Sequence, residues 1–332
     1  MEWGFGATLN SLVKPVMHAL KHGFCLQEPV NFHKYKCNQG WKELFAPLSL
    51  PSVVRNNTNA FRKRNNRGNS KLCARILGKE YGFGQSGRPR MFGRPSYQEC
   101  VQKYSYSLKG ITVLPAKYRP MGFFAFVSIL MRRMFRPSLG LQDRIRREKN
   151  VMKWPSPGTP ILGIHFRSGD ACLETEENLG RKCESFDVYM QQANLLRQKY
   201  NMTHIYLATD SEELLESSLV DKYPGWTFLY IKHMDRGGQR HDLSVDILLA
   251  RGLLDGCEEA RNSLLDILLL SDCDGFVGKF SGNMDRIVYS LMSARTGQLR
   301  PYVSLDNSWC FDFGVKSRPS GLNTSNQQMY FC

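Results

Sequence analysis

The residues Ile161 to Asp170 combine a buried-strand pattern with groups that handle charge. Ile161-Leu162-Gly163-Ile164 is an apolar run of the kind that forms a strand covered on both faces. It gives way to His165, Arg167, Ser168, Gly169 and Asp170 within six residues. A guanidinium in this position suits a phosphate, because its fork of donors matches two phosphate oxygens. An Arg and an Asp at a strand end also serve as a plain structural ion pair. Two further polar clusters follow apolar runs in the same way. Thr209-Asp210-Ser211 ends the run His204 to Ala208, and Lys279-Phe280-Ser281-Gly282 ends the run Asp274 to Gly278.

The elements that must position these groups alternate regularly in the second half. Helices are expected near 185–200, over Glu212 to Lys222, across 243–271 and from Asn283 to Arg295. Strands are expected at 161–166, His204 to Ala208, Trp226 to Ile231 and Asp274 to Gly278. Strands separated by helices imply right-handed βαβ units and a parallel sheet. Ligands bind beyond the carboxyl ends of such strands, so Arg167, Asp210 and Ser281 are expected to face one crevice.

In the first half, Gly4-Phe5-Gly6 reads as a Gly-rich turn feeding an amphipathic helix, with Leu9, Leu12, Val13, Val16, Met17 and Leu20 on one face. A helix N-terminus after such a turn holds a phosphate or hydroxyl well, and Gly4 and Gly6 permit close backbone approach. Helices follow over Gly122 to Arg136 and Leu139 to Asn150. Pro155, Pro157 and Pro160 then punctuate a linker. The expected division is an N-terminal lobe at 1–150, a Rossmann-like lobe at 151–310, and a tail at 311–332.

Composition is globular, and 332 residues suffice for two ordinary domains or one large one. The net charge of +15 suits an anionic partner. Most of it is local: Arg55 to Arg94 carries eleven Lys or Arg against Glu80 alone, a balance of +10. That segment, 55–95, is rich in Asn, Gly and Ser and reads as a solvated, flexible insertion. Aromatic residues are not interleaved as a nucleic-acid platform needs, so no nucleic-acid partner is expected.

The ten cysteines contain no Cys-x-x-Cys pair, and no zinc site is expected. Cys172 with Cys183 would close a short loop beside the key strand; free buried thiols are an equal alternative. Sequons stand at Asn56, Asn201 and Asn323. The longest apolar run, Gly122 to Met131, is too short to cross a bilayer, and no signal-peptide pattern follows Met1. Either the chain works in the cytoplasm or it belongs to a longer precursor. Asp272-Cys273-Asp274 has an Asp-x-Asp spacing, yet it precedes its strand, so no metal is expected there.

Gly163 to Asp170, Tyr206-Leu207-Ala208-Thr209-Asp210, and Phe280-Ser281 with Arg286 resemble the three motifs of the α1,6-fucosyltransferases and the related protein O-fucosyltransferases. Gly4-Phe5-Gly6, Trp41 to Leu48 and Arg132 to Pro137 fit the same enzymes, in matching order from residue 4 to about 310. The overall pattern is closer to the α1,6 family, although His-x-Arg-x-Gly-Asp has the flavour of the protein O-fucosyltransferases.

The resemblance implies a two-lobed, GT-B-like α/β glycosyltransferase with a Rossmann-type parallel sheet in its C-terminal half. It implies a GDP-fucose donor, a glycan or glycoprotein acceptor, inversion at the anomeric carbon and no metal or other cofactor. The expected reaction is α1,6-fucosylation of an N-glycan GlcNAc, with protein O-fucosylation or non-catalytic nucleotide-sugar binding as alternatives. It implies a Golgi or other secretory-lumen location if the chain is part of a longer precursor, and otherwise a cytoplasmic one. Arg167 matches the arginine that stabilises the departing β-phosphate. His165 would position that arginine or touch the donor. Gly4, Gly6, Tyr189, Asp210, Asp266, Ser281 and Arg286 match donor-side positions. The base falls among the acids of the loop after Arg167, with Asp170, Glu174 and Glu176 as candidates and Glu174 or Glu176 favoured. The chain departs from the family's N-glycan enzymes at Ser168 and Ala171, where a second Arg and a Lys are usual, and at Ser281-Gly282, where a pair of serines is usual.

Overall fold

The computed structural model describes residues 5–22, 35, 37–47, 120–169, 172, 183–217, 219–232, 234, 245–306 and 308–309. Gly4, Asp170, Glu174, Glu176, the basic segment at 55–95 and the tail at 311–332 lie outside the described residues.

Four helices precede the sheet: α1 (Phe5–His22), the single turn α2 (Trp41–Leu44), α3 (Gly122–Met134) and α4 (Leu139–Val151). There follow β1 (Ile161–Phe166), α5 (Phe186–Tyr200), β2 (His204–Thr209), α6 (Glu212–Glu216), α7 (Leu219–Lys222) and β3 (Thr227–Leu229). The chain continues through α8 (Val245–Ala250), α9 (Gly256–Ser271), β4 (Gly275–Gly278), α10 (Asn283–Thr296) and β5 (Tyr302–Ser304). The five strands form one sheet in the order β3-β2-β1-β4-β5, and every pairing is parallel. The expected α/β class with a parallel sheet is therefore present. The sheet grows outward from β1 in both directions, so its topological switch point lies between β1 and β4.

Strand β1 is central and apolar on both faces. Leu162, Ile164 and Phe166 pack with Phe186, Tyr189, Met190, Ala193 and Leu196 of α5, a stripe at helical spacing. On the opposite face Gly163 has no side chain, and a Cβ there would lie 3.1 Å from Leu270 Cδ2. The absent side chain lets α9 approach the strand closely. A larger core joins Leu9, Leu12, Val13 and Val16 of α1 to α2, α3, α9 and α10. It runs across both sides of the proline-rich connection at 155–160.

Several boundaries differ from the sequence expectation. Asp274 lies just outside β4, its carboxylate accepting from the Ile161 amide. The helix expected over Glu212 to Lys222 is broken at Ser217, whose backbone is extended (ψ 151°) and whose hydroxyl binds the Leu214 carbonyl. Serine competes with helix through such local bonds. The helices expected across 243–271 separate at Arg251–Asp255, where Gly252 takes a positive φ and Asp255 caps α9 through the amides of Cys257 and Glu258. Strand β3 is shorter than expected, and β5 was not expected at all.

Two disulfides replace the open choice between bridged and free thiols. Cys172 pairs with Cys183 and Cys37 with Cys257, while Cys273 is a buried free thiol. The Cys37 bridge docks residues 37–47 on α9. Beside it Arg261 pairs with Glu43 and Glu258, and Arg144 bonds Glu258 and Asn262, each at 2.7 Å. No helix among the described residues is long and apolar enough to cross a membrane.

Candidate active site

Strands β2, β1 and β4 are adjacent and parallel, so Asp210, Arg167 and Ser281 stand beyond neighbouring strand ends at one edge of the sheet. Arg167 is about half exposed (48%), and its Nε lies 3.8 Å from Asp210 Oδ2. The Asp210 carboxylate accepts from the amides of Ser168 (2.9 Å) and Gly169 (3.1 Å). It therefore pins the first residues after β1, and through them the base of the Arg167 side chain.

His165 lies one alternation before Arg167, on the face toward α10. Its Nδ1 is 2.9 Å from Asp285 Oδ2 in the first turn of that helix. Burial by itself opposes protonation of this imidazole. The charge and hydrogen bond of Asp285 outweigh that effect and raise the pKa above the ordinary histidine value. Asp285 was not among the residues singled out from the sequence. There it reads as an ordinary acid favouring a helix N-terminus. The sequence signal that marks it is the pair Gly278 and Gly282, because a Cβ at either would collide with its carboxylate.

The turn after β4 is held from several sides. Asp285 Oδ1 accepts from the Lys279 amide (3.0 Å). Ser304 Oγ accepts from the Phe280 amide (3.1 Å) and donates to Asp306 (3.0 Å). Asp306 lies 3.3 Å from the Ser281 nitrogen. Ser304 and Asp306, at the end of the unexpected β5, are thus part of the crevice wall.

Arg286 is buried, 2% exposed. Its guanidinium donates to Gly282 O (3.3 Å) and Asn283 Oδ1 (2.5 Å), so it braces the N-terminus of α10. Tyr189 is also buried and meets Phe166 edge-on at 5.2 Å. Its hydroxyl is held far above the usual tyrosine range, first by burial and then by Asp285, Asp306, Glu184 and Asp210. It stays a proton donor beneath the crevice.

Asp266 is brought into a different neighbourhood. It is buried in α9 and accepts from Tyr206 Oη at 2.6 Å, in the layer where Trp154 also meets Tyr206. A buried carboxylate requires such a partner. Asp272 and Asp274 lie at the opposite edge of the sheet, before β4. Lys149 binds Asp272 at 2.6 Å, and Arg300 approaches Asp274 at 3.5 Å. Among the described residues no group of three or more His, Cys, Asp or Glu is placed to hold a metal.

Gly6 lies inside the first turn of α1 rather than in a turn ahead of it. A Cβ there would sit 2.9 Å from the Met284 nitrogen, so its absence lets α1 cross α10 at the N-terminus of the latter. Gly6→Ala is expected to destabilise the protein by about 1–3 kcal/mol, the usual cost of overpacking against immovable backbone. A thermal melt checks this, and an unchanged melting temperature would contradict it.

The strand order and the groups at the switch point define an α/β fold of the kind that binds ligands at this edge of the sheet. Residues 114–309 match the family model for alpha-(1,6)-fucosyltransferase N- and catalytic domains. That is more than half of the chain, which therefore belongs to this family and is a fucosyltransferase. Among solved structures the chain is similar to NodZ alpha-1,6-fucosyltransferase co-crystallized with GDP, at 15% identity over 92% of each chain (TM-score 0.45). A selenomethionine NodZ from Bradyrhizobium gives 15% identity over 92% of each chain (TM-score 0.46). POFUT1 in complex with GDP gives 12% identity over 91% of this chain and 95% of that one (TM-score 0.48).

Proposed function

We propose that the chain transfers fucose from GDP-fucose to an N-glycan, in α1,6-linkage to a GlcNAc, with inversion and without a metal. The observation that carries this is the meeting of Arg167, His165 and the β4–α10 turn at the switch point of the sheet. The acceptor oxygen attacks the anomeric carbon of fucose from the side opposite GDP. The bond from that carbon to the β-phosphate oxygen breaks, and its electron pair leaves with GDP. Arg167 meets the charge that grows on the phosphate. A carboxylate from Asp170, Glu174 or Glu176 takes the acceptor's proton.

Asp210 fixes the backbone that carries Arg167, and Tyr189 supports the floor beneath. Ser281 offers the turn to the donor, and Arg286 braces that turn from the donor side. Asp266 acts through Tyr206, at one remove from the donor. Gly6 sets the crossing of α1 over α10; Gly4 keeps its proposed donor-side role. The test is an acceptor comparison with GDP-fucose. A glycan with a free core GlcNAc should gain fucose at its 6-position, as methylation analysis reads. Transfer only to Ser or Thr of a folded protein domain would favour protein O-fucosylation.

The proposed location is an oxidising secretory lumen, the Golgi in particular, which two disulfides support. A consequence concerns Asn201, exposed at the left-handed C-cap of α5 (φ 55°) and followed by Met202-Thr203. Asn201 precedes β2, at the edge away from the crevice, so a glycan there leaves the site open. Chain isolated from its source cells is expected to shift in mass on glycosidase treatment, with the glycan on the Asn201 peptide. An unmodified Asn201 peptide would contradict this.

A further inference from the structure

The Asp285 carboxylate occupies a slot made for it. A Cβ on Gly278 would collide with Oδ1, and one on Gly282 would collide with Oδ2. Neither glycine needs unusual backbone freedom here; Gly282 has φ −73°, which any residue adopts. The carboxylate explains the missing side chain at Gly282, and does so at Gly278 together with the Phe276 ring, which a Cβ there would meet at 2.6 Å. Each oxygen then takes a different partner. Oδ2 meets His165 Nδ1 at 2.9 Å, and Oδ1 accepts from the Lys279 amide at 3.0 Å. One buried side chain, 3% exposed, thus ties β1, the turn after β4 and the start of α10 together across the switch point.

We infer that Asp285 is a positioning residue for donor binding and transfer, fixing the His165 ring through Nδ1 and the β4–α10 turn through the Lys279 amide. The inference rests on the GDP-fucose reading of this crevice. With Nδ1–H donated to Asp285, Nε2 is the remaining ring nitrogen, and in the imidazolium it is a second donor for an anion. Asp285 also supports that imidazolium against burial. The charged groups acting on His165 are Asp285 from α10, Arg167 beyond β1 and Asp210 beyond β2. Arg167 opposes its protonation, and the two acids favour it. Tyr189 of α5, lying in the field of the same acids, stays neutral. Lys279 enters the arrangement through its backbone.

The pH dependence follows in sign. Raised in the fold, the His165 pKa keeps the ring charged into a range where a free histidine is neutral. GDP affinity should therefore be highest below that pKa and fall as pH rises through it. Asp285→Asn keeps the shape but removes the charge, so burial and Arg167 then push the His165 pKa down.

Gly282→Ala provides an independent variant, because it displaces the carboxylate without touching the ring. The measurements are GDP affinity and the kcat and KM for GDP-fucose across pH, with the His165 ring followed by NMR. Both variants should lower kcat by about 10–100-fold, as misplacement of a site by a fraction of an ångström to an ångström does. In Asp285→Asn the fall in GDP affinity should move to lower pH, together with the ring titration. In an Asp285→Ala background, Gly282→Ala should have little further effect, since the group it displaces is gone.

Wild-type kcat, KM and pH profile in folded Asp285→Asn or Gly282→Ala protein would overturn the positioning role. Failure of the unaltered chain to bind GDP would instead sink the donor reading, and the positioning role with it.

Discussion

Arg167→Ala is expected to lower kcat for fucosyl transfer by about 10²–10³-fold, the scale of losing one preorganised charge stabiliser. GDP leaves with new negative charge on its β-phosphate, and Arg167 stands half exposed beyond β1, at the switch point. Among the described residues, Asp210 approaches at 3.8 Å and spends its oxygens on the Ser168 and Gly169 amides. A half-exposed ion pair of this length contributes less than about 1 kcal/mol to stability. The variant should therefore fold and melt near wild type while losing turnover. Arg167→Lys keeps the charge but loses the planar fork, and should fall between the two.

The largest effect on stability is expected from Cys257→Ser. The Cys37–Cys257 bridge spans 220 residues of sequence, and chain-entropy reasoning assigns long closed loops about 5 kcal/mol. Measured losses on removing native bridges run to about 2–5 kcal/mol. What the bridge holds is specific. Gly256 admits the Tyr35 backbone, since a Cβ there would lie 2.8 Å from Tyr35 Cα. Trp41, Leu44 and Phe45 are buried in the same core as α9. Arg261, paired with Glu43, closes the edge of the contact. Cys257→Ser should lower the melting temperature by several degrees and free residues 37–47 for proteolysis. An unchanged melt and cleavage pattern would mean that packing alone holds this segment.

The centre of the sheet was legible because β1, β2 and β4 are buried on both faces. Continuous apolar runs such as Ile161–Ile164 and Ile205–Ala208 leave few other readings, and the polar residues after them mark the carboxyl edge. Strand β5 escaped notice because Tyr302-Val303-Ser304 is short, half exposed and without a sustained pattern. The Cys37–Cys257 pairing was invisible for a different reason: local sequence does not encode which distant residues meet. Asp285 was missed because its importance lies in two glycines that yield to it. Those glycines read as a strand end and a helix cap. Arg286 and Asp266 were legible as donor-side positions through the resemblance, but not as to partner. The first braces a helix start, and the second binds a tyrosine hydroxyl.

The most direct test of the account is acceptor-dependent release of GDP from GDP-fucose in EDTA, measured for the unaltered chain and for Arg167→Ala. Release is expected to require an N-glycan acceptor, to survive EDTA and to be nearly abolished in the variant. Release that needs a divalent cation, or that persists at wild-type rate without Arg167, would contradict it.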